Sequence, residues 1–173
     1  MWRRIVKSIE REVFLPHPPE RVWRALTDPR LLTLWMMQTT LADEPRPGLR
    51  FQFRTKPAPG FDGIIECEFL EVDRPRRLVF SWASGKAKDR PTTVSWTLVP
   101  TEAGTHLRLE HCGFAGLLGL FMRQMMSGGW GRKVSRYMGE VLQRLADAGD
   151  DIARIDAGSV MSWEVAPGPK RGV

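Results

Sequence analysis

A chain of 173 residues with 42% hydrophobic and 27% charged residues has the make-up of one globular domain. The formal charge of +6 raises the question of nucleic acid, but the basic residues are scattered and mostly arginine, densest at Arg74, Arg76 and Arg77. A solvated basic surface without specific nucleic-acid binding is therefore expected. The longest uncharged apolar run, Cys112 to Met122, is too short for a bilayer span of about 20 residues, so no membrane insertion is expected either. Cys67 and Cys112 are the only cysteines, and no apolar segment follows the basic Met1 to Arg11 stretch. Both observations fit a cytoplasmic protein with reduced thiols.

In chain order, the alternation of Ile9, Arg11, Val13 and Leu15 with Glu10, Glu12 and Phe14 predicts a first strand, ended by Pro16, Pro18 and Pro19. Pro19 suits the first turn of a helix, whose buried face is Val22, Trp23 and Leu26. Thr27-Asp28-Pro29 breaks it, and Leu31, Leu32, Leu34 and Trp35 mark a second short helix. An antiparallel meander follows: Leu49 to Phe53, Ile64 to Val72, then strands carrying Leu78, Phe80 and Trp82, Val94, Trp96 and Leu98, and Leu107, Leu109 and His111. Phe114 to Met126, interrupted by Gly116 and Gly119, reads as a separate short helix.

The main helix is predicted from Ser127 to Ala148, about 33 Å long, with Ser127 as N-cap and Gly149 just past its end. Trp130, Val134, Met138, Val141 and Leu145 recur at spacings of three and four on its buried face. Arg132, Lys133, Arg136, Glu140, Gln143 and Arg144 fall mostly on the other side. The domain is expected to occupy residues 1–149, with 150–173 a C-terminal tail: Asp150 to Ala157 is read as one more helical turn or two, and in Gly158 to Val173 Trp163 suggests partial docking. One long helix after a run of strands must pack on one face of their sheet, which gives an α+β architecture with a gap between the two.

Strand parity says what lines that gap. If Leu107 and Leu109 point inward, so does His111; if Ile9 and Val13 do, so does Arg11. These would be the two polar groups in an interior walled by apolar and aromatic side chains, the composition of a small-molecule pocket. Met36, Met37, Met122, Met125 and Met126 would make an adaptable mouth or simply fill core. The candidate ligand-binding set is Arg11, Trp35, Phe51, Phe53, Phe80, Trp82, Trp96, Leu109, His111, Met126, Trp130, Val134 and Tyr137. No cofactor, metal ligand or catalytic residue is assigned. His111 and Cys112 are adjacent and point to opposite faces, and no Cys-x-x-Cys, phosphate-loop or Gly-x-Ser-x-Gly spacing occurs.

Several segments together carry a family resemblance. They are Pro18 to Pro29 with Leu32 and Trp35; Arg46-Pro47-Gly48; Gly63 with Glu68 and Val72; Arg74 to Leu78; Trp82; Gly104 to Leu109; His111 with Gly113; and Gly129-Trp130. In order and spacing, from about Ile9 to Ala148, the chain resembles the helix-grip, or START-like (SRPBCC), superfamily. Within it, the chain looks most like the activator-of-Hsp90-ATPase homologue-like family. Pro47-Gly48 stands where a glycine pair is often found, and the Cys112 to Met126 segment is unusually apolar. The resemblance implies a curved antiparallel sheet wrapped around a long C-terminal helix, with two short helices near the N-terminus. It also implies a small hydrophobic ligand held between sheet and helix, in a carrier or sensor. Two other functions stay open: a cyclase- or hydrolase-type enzyme using His111 with Tyr137 as partner, and a co-chaperone or protein-interaction module. Whether two copies pair as a homodimer is also left open.

Overall fold

A computed structural model describes residues 8–85 and 89–155. The tip of the Ser84 to Arg90 loop and the tail beyond Ile155, including Trp163, lie outside the described residues. Among the described residues seven strands form one antiparallel sheet: β1 (Ile9–Leu15), β2 (Gln38–Thr39), β3 (Arg50–Arg54), β4 (Ile64–Asp73), β5 (Arg77–Ser84), β6 (Thr92–Thr101) and β7 (Gly104–Cys112). Their spatial order is β1-β7-β6-β5-β4-β3-β2. The meander is continuous from β2 to β7, and β1 closes it by pairing with β7, Ile9 opposite His111 and Val13 opposite Leu107. Between β1 and β2 the chain makes α1 (Pro19–Thr27) and α2 (Pro29–Trp35). Asp28 separates them and caps α2 by accepting from the Arg30 backbone N–H.

Parity along the strands holds. Phe51, Phe53, Ile65, Cys67, Phe69, Leu78, Phe80, Trp82, Val94, Trp96, Leu107 and Leu109 are all buried on one face. The alternate residues Gln52, Glu66, Glu68, Ser81 and Ser95 are not. Burial of this kind stabilises the fold by roughly 25 cal/mol for each Å² of apolar surface removed from water.

The helix on the concave face differs from its expected form. It starts at Gly116, not Ser127: α3 (Gly116–Arg132) runs through a π turn (Lys133–Tyr137) into α4 (Met138–Asp147). At 1.5 Å per residue the whole element is about 48 Å long. Ser127 is therefore no N-cap; its side chain and carbonyl accept from Arg11 Nη2 at 2.6 and 2.9 Å. Of the two glycines that suggested a break, Gly116, with φ +67°, stands at the very start of the helix, and only Gly119 lies inside it, at a cost of about 1 kcal/mol that the continuing helix absorbs. In the π turn the Met138 N–H reaches the Lys133 carbonyl five residues back. The disturbance has a local cause: Gly128, Gly129 and Gly131 weaken the preceding turn, and the Ser135 hydroxyl donates to the Gly131 carbonyl.

The stop is as expected. Gly149 has φ +66°, and the Asp150 N–H returns to the Leu145 carbonyl at 2.8 Å. Residues 150–155 pack on the domain and carry one short helical turn, Ile152–Arg154. Asp150 accepts from Arg21 Nε and Nη2 at 2.7 and 2.8 Å, and Ile152 is buried.

Val134, Met138, Val141, Leu142 and Leu145 are at most 1% exposed and face the sheet and the short helices. Replacing Val141 by Asp puts an uncompensated charge into this layer, a cost on the order of 3–5 kcal/mol. Chemical denaturation of Val141→Asp is expected to show loss of most or all of the stability, which for a domain is about 5–15 kcal/mol.

Candidate functional site

The interior divides into a filled half and an open half. Under α1 and α2 the inward side chains close on one another. Phe51 stacks on Phe69 at 4.6 Å between ring centroids, and Trp35 meets Trp96 edge-on at 6.1 Å. What remains among Trp35, Phe51, Phe53, Phe69, Phe80 and Trp96 is a void of about 10 Å³, room for one water at most.

Under α3 the sheet and helix stay apart, leaving a cavity of about 520 Å³. The sheet side is Ile65, Trp82, Ser84 and Gly85, and the connection after β3 supplies Thr55, Ala58, Pro59, Gly60 and Phe61. That connection is held by Gly63, whose φ is +80° and whose missing Cβ would meet the Thr55 carbonyl. Met36 and Met37, just after α2, form one end. The long helix supplies Leu118, Phe121, Met122, Met125, Met126, Gly129, Trp130 and Lys133. Leu118, Phe121 and Met125 are 58%, 62% and 61% exposed, so they form a rim.

Of the sequence-derived candidates, Trp82, Met126 and Trp130 lie in the cavity wall, and all five methionines considered as a mouth are there too. Trp35, Phe51, Phe53, Phe80 and Trp96 belong to the filled half. Leu109 and Val134 are sealed in the core, and Tyr137 packs partly buried against it. Arg11 shares the inner parity but does not reach the cavity; it spans from β1 to α3 through Ser127. Phe61, Ile65 and Lys133 were not among the sequence candidates. Lys133 also corrects the reading that placed it on the solvent side: it is half-buried, with its amine donating to the Met36 carbonyl. Burial, and then the neighbouring Arg132, bring its pKa down to about 7.

His111 points inward as parity requires and is fully buried, but it stands behind the cavity wall rather than in it. Trp130 Nε1 donates to its Nδ1 at 3.1 Å, and its Nε2 lies 2.7 Å from the Thr92 hydroxyl. Because Nδ1 accepts, the neutral ring carries its proton on Nε2 and donates it to Thr92. The Thr92 hydroxyl in turn donates to the Trp82 carbonyl at 3.2 Å. Both ring nitrogens are thus engaged, and the chain of bonds fastens helix to sheet. Trp82, Phe114 and Trp130 surround the imidazole, and desolvation brings its pKa down to about 3. Among the described residues no cluster of His, Cys, Asp and Glu could hold a metal ion, and no helix is long and apolar enough to cross a membrane.

A curled antiparallel sheet gripping one long helix, with a cavity on the concave side, defines a helix-grip protein. The family described as activator of Hsp90 ATPase homolog 1-like protein matches residues 16–144, and the chain belongs to that family. Among solved structures, a Mesorhizobium loti protein is 32% identical over 84% of this chain and 100% of its own, with a TM-score of 0.66. A Bacillus halodurans protein is 24% identical over 79% of this chain and 97% of its own (TM-score 0.64). DynU16, from the dynemicin biosynthetic locus, is 23% identical over 82% of this chain and 48% of its own (TM-score 0.61). The last two show the shared fold alone. No curated protein matches the chain in sequence.

The buried imidazole has a measurable consequence. In the unfolded chain it takes up a proton near pH 6.5, whereas in the fold it does so only near pH 3. Its contribution to stability is therefore intact above about pH 6.5 and is lost progressively as pH falls toward 3. Gln at this position can accept from Trp130 and donate to Thr92 without titrating. Urea midpoints at pH 7 and pH 4.5 are expected to fall less for His111→Gln than for the wild type.

Proposed function

We propose that the protein binds a small hydrophobic molecule in the cavity between β4, β5 and α3, as a carrier or sensor. The observation that supports this most is the cavity itself: about 520 Å³, within the range of small-molecule sites and lined chiefly by methionine, aromatic and aliphatic side chains. Methionines from two separate elements suit a ligand of irregular shape, because an unbranched thioether repacks at little cost. The enzyme reading draws less support, since the bonds of His111 to Trp130 and Thr92 occupy both nitrogens a general base would use. The interaction-module reading draws on exposed Leu117, Leu118, Phe121 and Met125, yet three of these four form the cavity rim.

Gly129 offers a direct test. It lies in the wall, and a Cβ built there meets nothing within 4 Å. Leu at this position fills cavity space and replaces a poor helix former by a good one, a gain of up to about 1 kcal/mol. A neutral apolar fluorophore such as Nile red is expected to bind the wild type and to quench tryptophan fluorescence. Gly129→Leu should weaken that binding on the order of tenfold, about 1.4 kcal/mol. Gly128→Ala, on the exposed side of the same turn, should leave it unchanged. Equal affinity for wild type and Gly129→Leu would place the fluorophore elsewhere and favour the interaction-module reading.

A further inference from the structure

The helix carries a second stripe beside the one that enters the core. Leu118, Met122, Met126, Gly129 and Lys133 follow one another at spacings of three and four along the cavity wall. From Leu118 to Lys133 the stripe covers about 22 Å at 1.5 Å per residue. Its Leu118 end is the exposed rim, and its Lys133 end is half-buried beside Met36. The cavity is therefore polarised: apolar along its length, with an amine at the inner end. Among the described residues that line it, Lys133 carries the one charged side chain, and Thr55 and Ser84 supply the hydroxyls.

We propose that the cavity takes an amphipathic monocarboxylic acid, its carboxylate on Lys133 and its apolar body laid along Gly129, Met126 and Met122 toward the rim. This rests on the hydrophobic-ligand reading above and names the class of ligand. A lysine head is a compact point charge with three donors, so it can take a ligand oxygen beside the contacts it already makes, the Met36 carbonyl among them. In surroundings this apolar a charge-assisted hydrogen bond is stronger than in water, and a carboxylate arriving there favours the protonated amine. The depressed pKa of about 7 fits such a role, because the ammonium form gains from an anion at this spot. One cation among the described lining residues matches a single negative charge better than a phosphate dianion. The bond to Met36, the residue just past the end of α2, gives Lys133 a fastening role as well, and the test separates the two.

Dodecanoic acid, dodecanol and dodecyl phosphate are to be titrated against the Nile red complex at neutral pH. The wild type is expected to bind the acid at least about tenfold more tightly than the alcohol, the size of a hydrogen bond to a charged group. In Lys133→Met the two should converge through loss of acid affinity, while Lys133→Arg should keep the preference. A fastening role alone would lower stability in Lys133→Met without changing the ratio of acid to alcohol. The proposal is overturned if wild-type protein binds acid and alcohol equally, a comparison that needs no variant. It is also overturned if the preference survives in Lys133→Met, or if dodecyl phosphate binds more tightly than the acid. The hydrophobic-ligand reading fails differently: Nile red would not bind, or would ignore Gly129→Leu.

Discussion

The hydrogen bond from the Trp130 indole to His111 is the constraint on which the rest of this structure depends. A buried indole N–H needs an acceptor, and an unmet one costs about as much as a lost hydrogen bond. His111 supplies that acceptor only while its ring is neutral, and it stays neutral because Trp82, Phe114 and Trp130 keep water away. The partners come from β6, β7 and the long helix, so one short chain of donors and acceptors sets the depth at which the helix sits. Arg11 holds the same stretch of helix from the other side, through Ser127.

That depth decides where the molecule is full and where it is open. At the α2 end, large aromatic rings from β3, β4, β5 and β6 meet Trp35 and leave a void of about 10 Å³. Beyond Trp130 the helix presents Gly129, Met126 and Met122 to the sheet, side chains that are small or readily repacked, and about 520 Å³ stays unfilled. Trp130 belongs to both regions: one edge is in the latch and the ring borders the cavity. The π turn begins immediately after this segment, at Lys133. Structural and cavity-lining roles thus meet within a single turn of helix.

The sheet was legible because burial has period two and each strand carries its own signal. Leu78, Phe80 and Trp82, or Leu107, Leu109 and His111, announce an inner face without help from elsewhere. The two-residue strand Gln38–Thr39 carries no such pattern and was missed. α4 was legible from its apolar stripe; the first half of α3 was read as a helix, but not as continuous with the main one. Its apolar residues face solvent and cavity together, so no single stripe separates inside from outside. Lysine reads as a surface residue by default; only its spacing from Gly129 and Trp130 hinted that Lys133 faces inward. The inward direction of His111 was read correctly. Its engagement was not, because Thr92 and Trp130 are each 19 residues away and nothing local records the contact. The aromatic residues taken as pocket wall were inner-face residues as expected, but parity alone does not tell a filled interior from an open one.

Because Trp130 joins latch and cavity, its indole N–H is the most direct reporter of the account. Two-dimensional ¹⁵N NMR resolves the tryptophan indoles, and a neutral apolar ligand can be titrated while they are watched. The predicted result is that the Trp82 and Trp130 signals move together, while those of Trp23 and Trp35, on the filled side, stay in place. Shifts confined to Trp23 and Trp35, or no indole shift at saturating ligand, would contradict it.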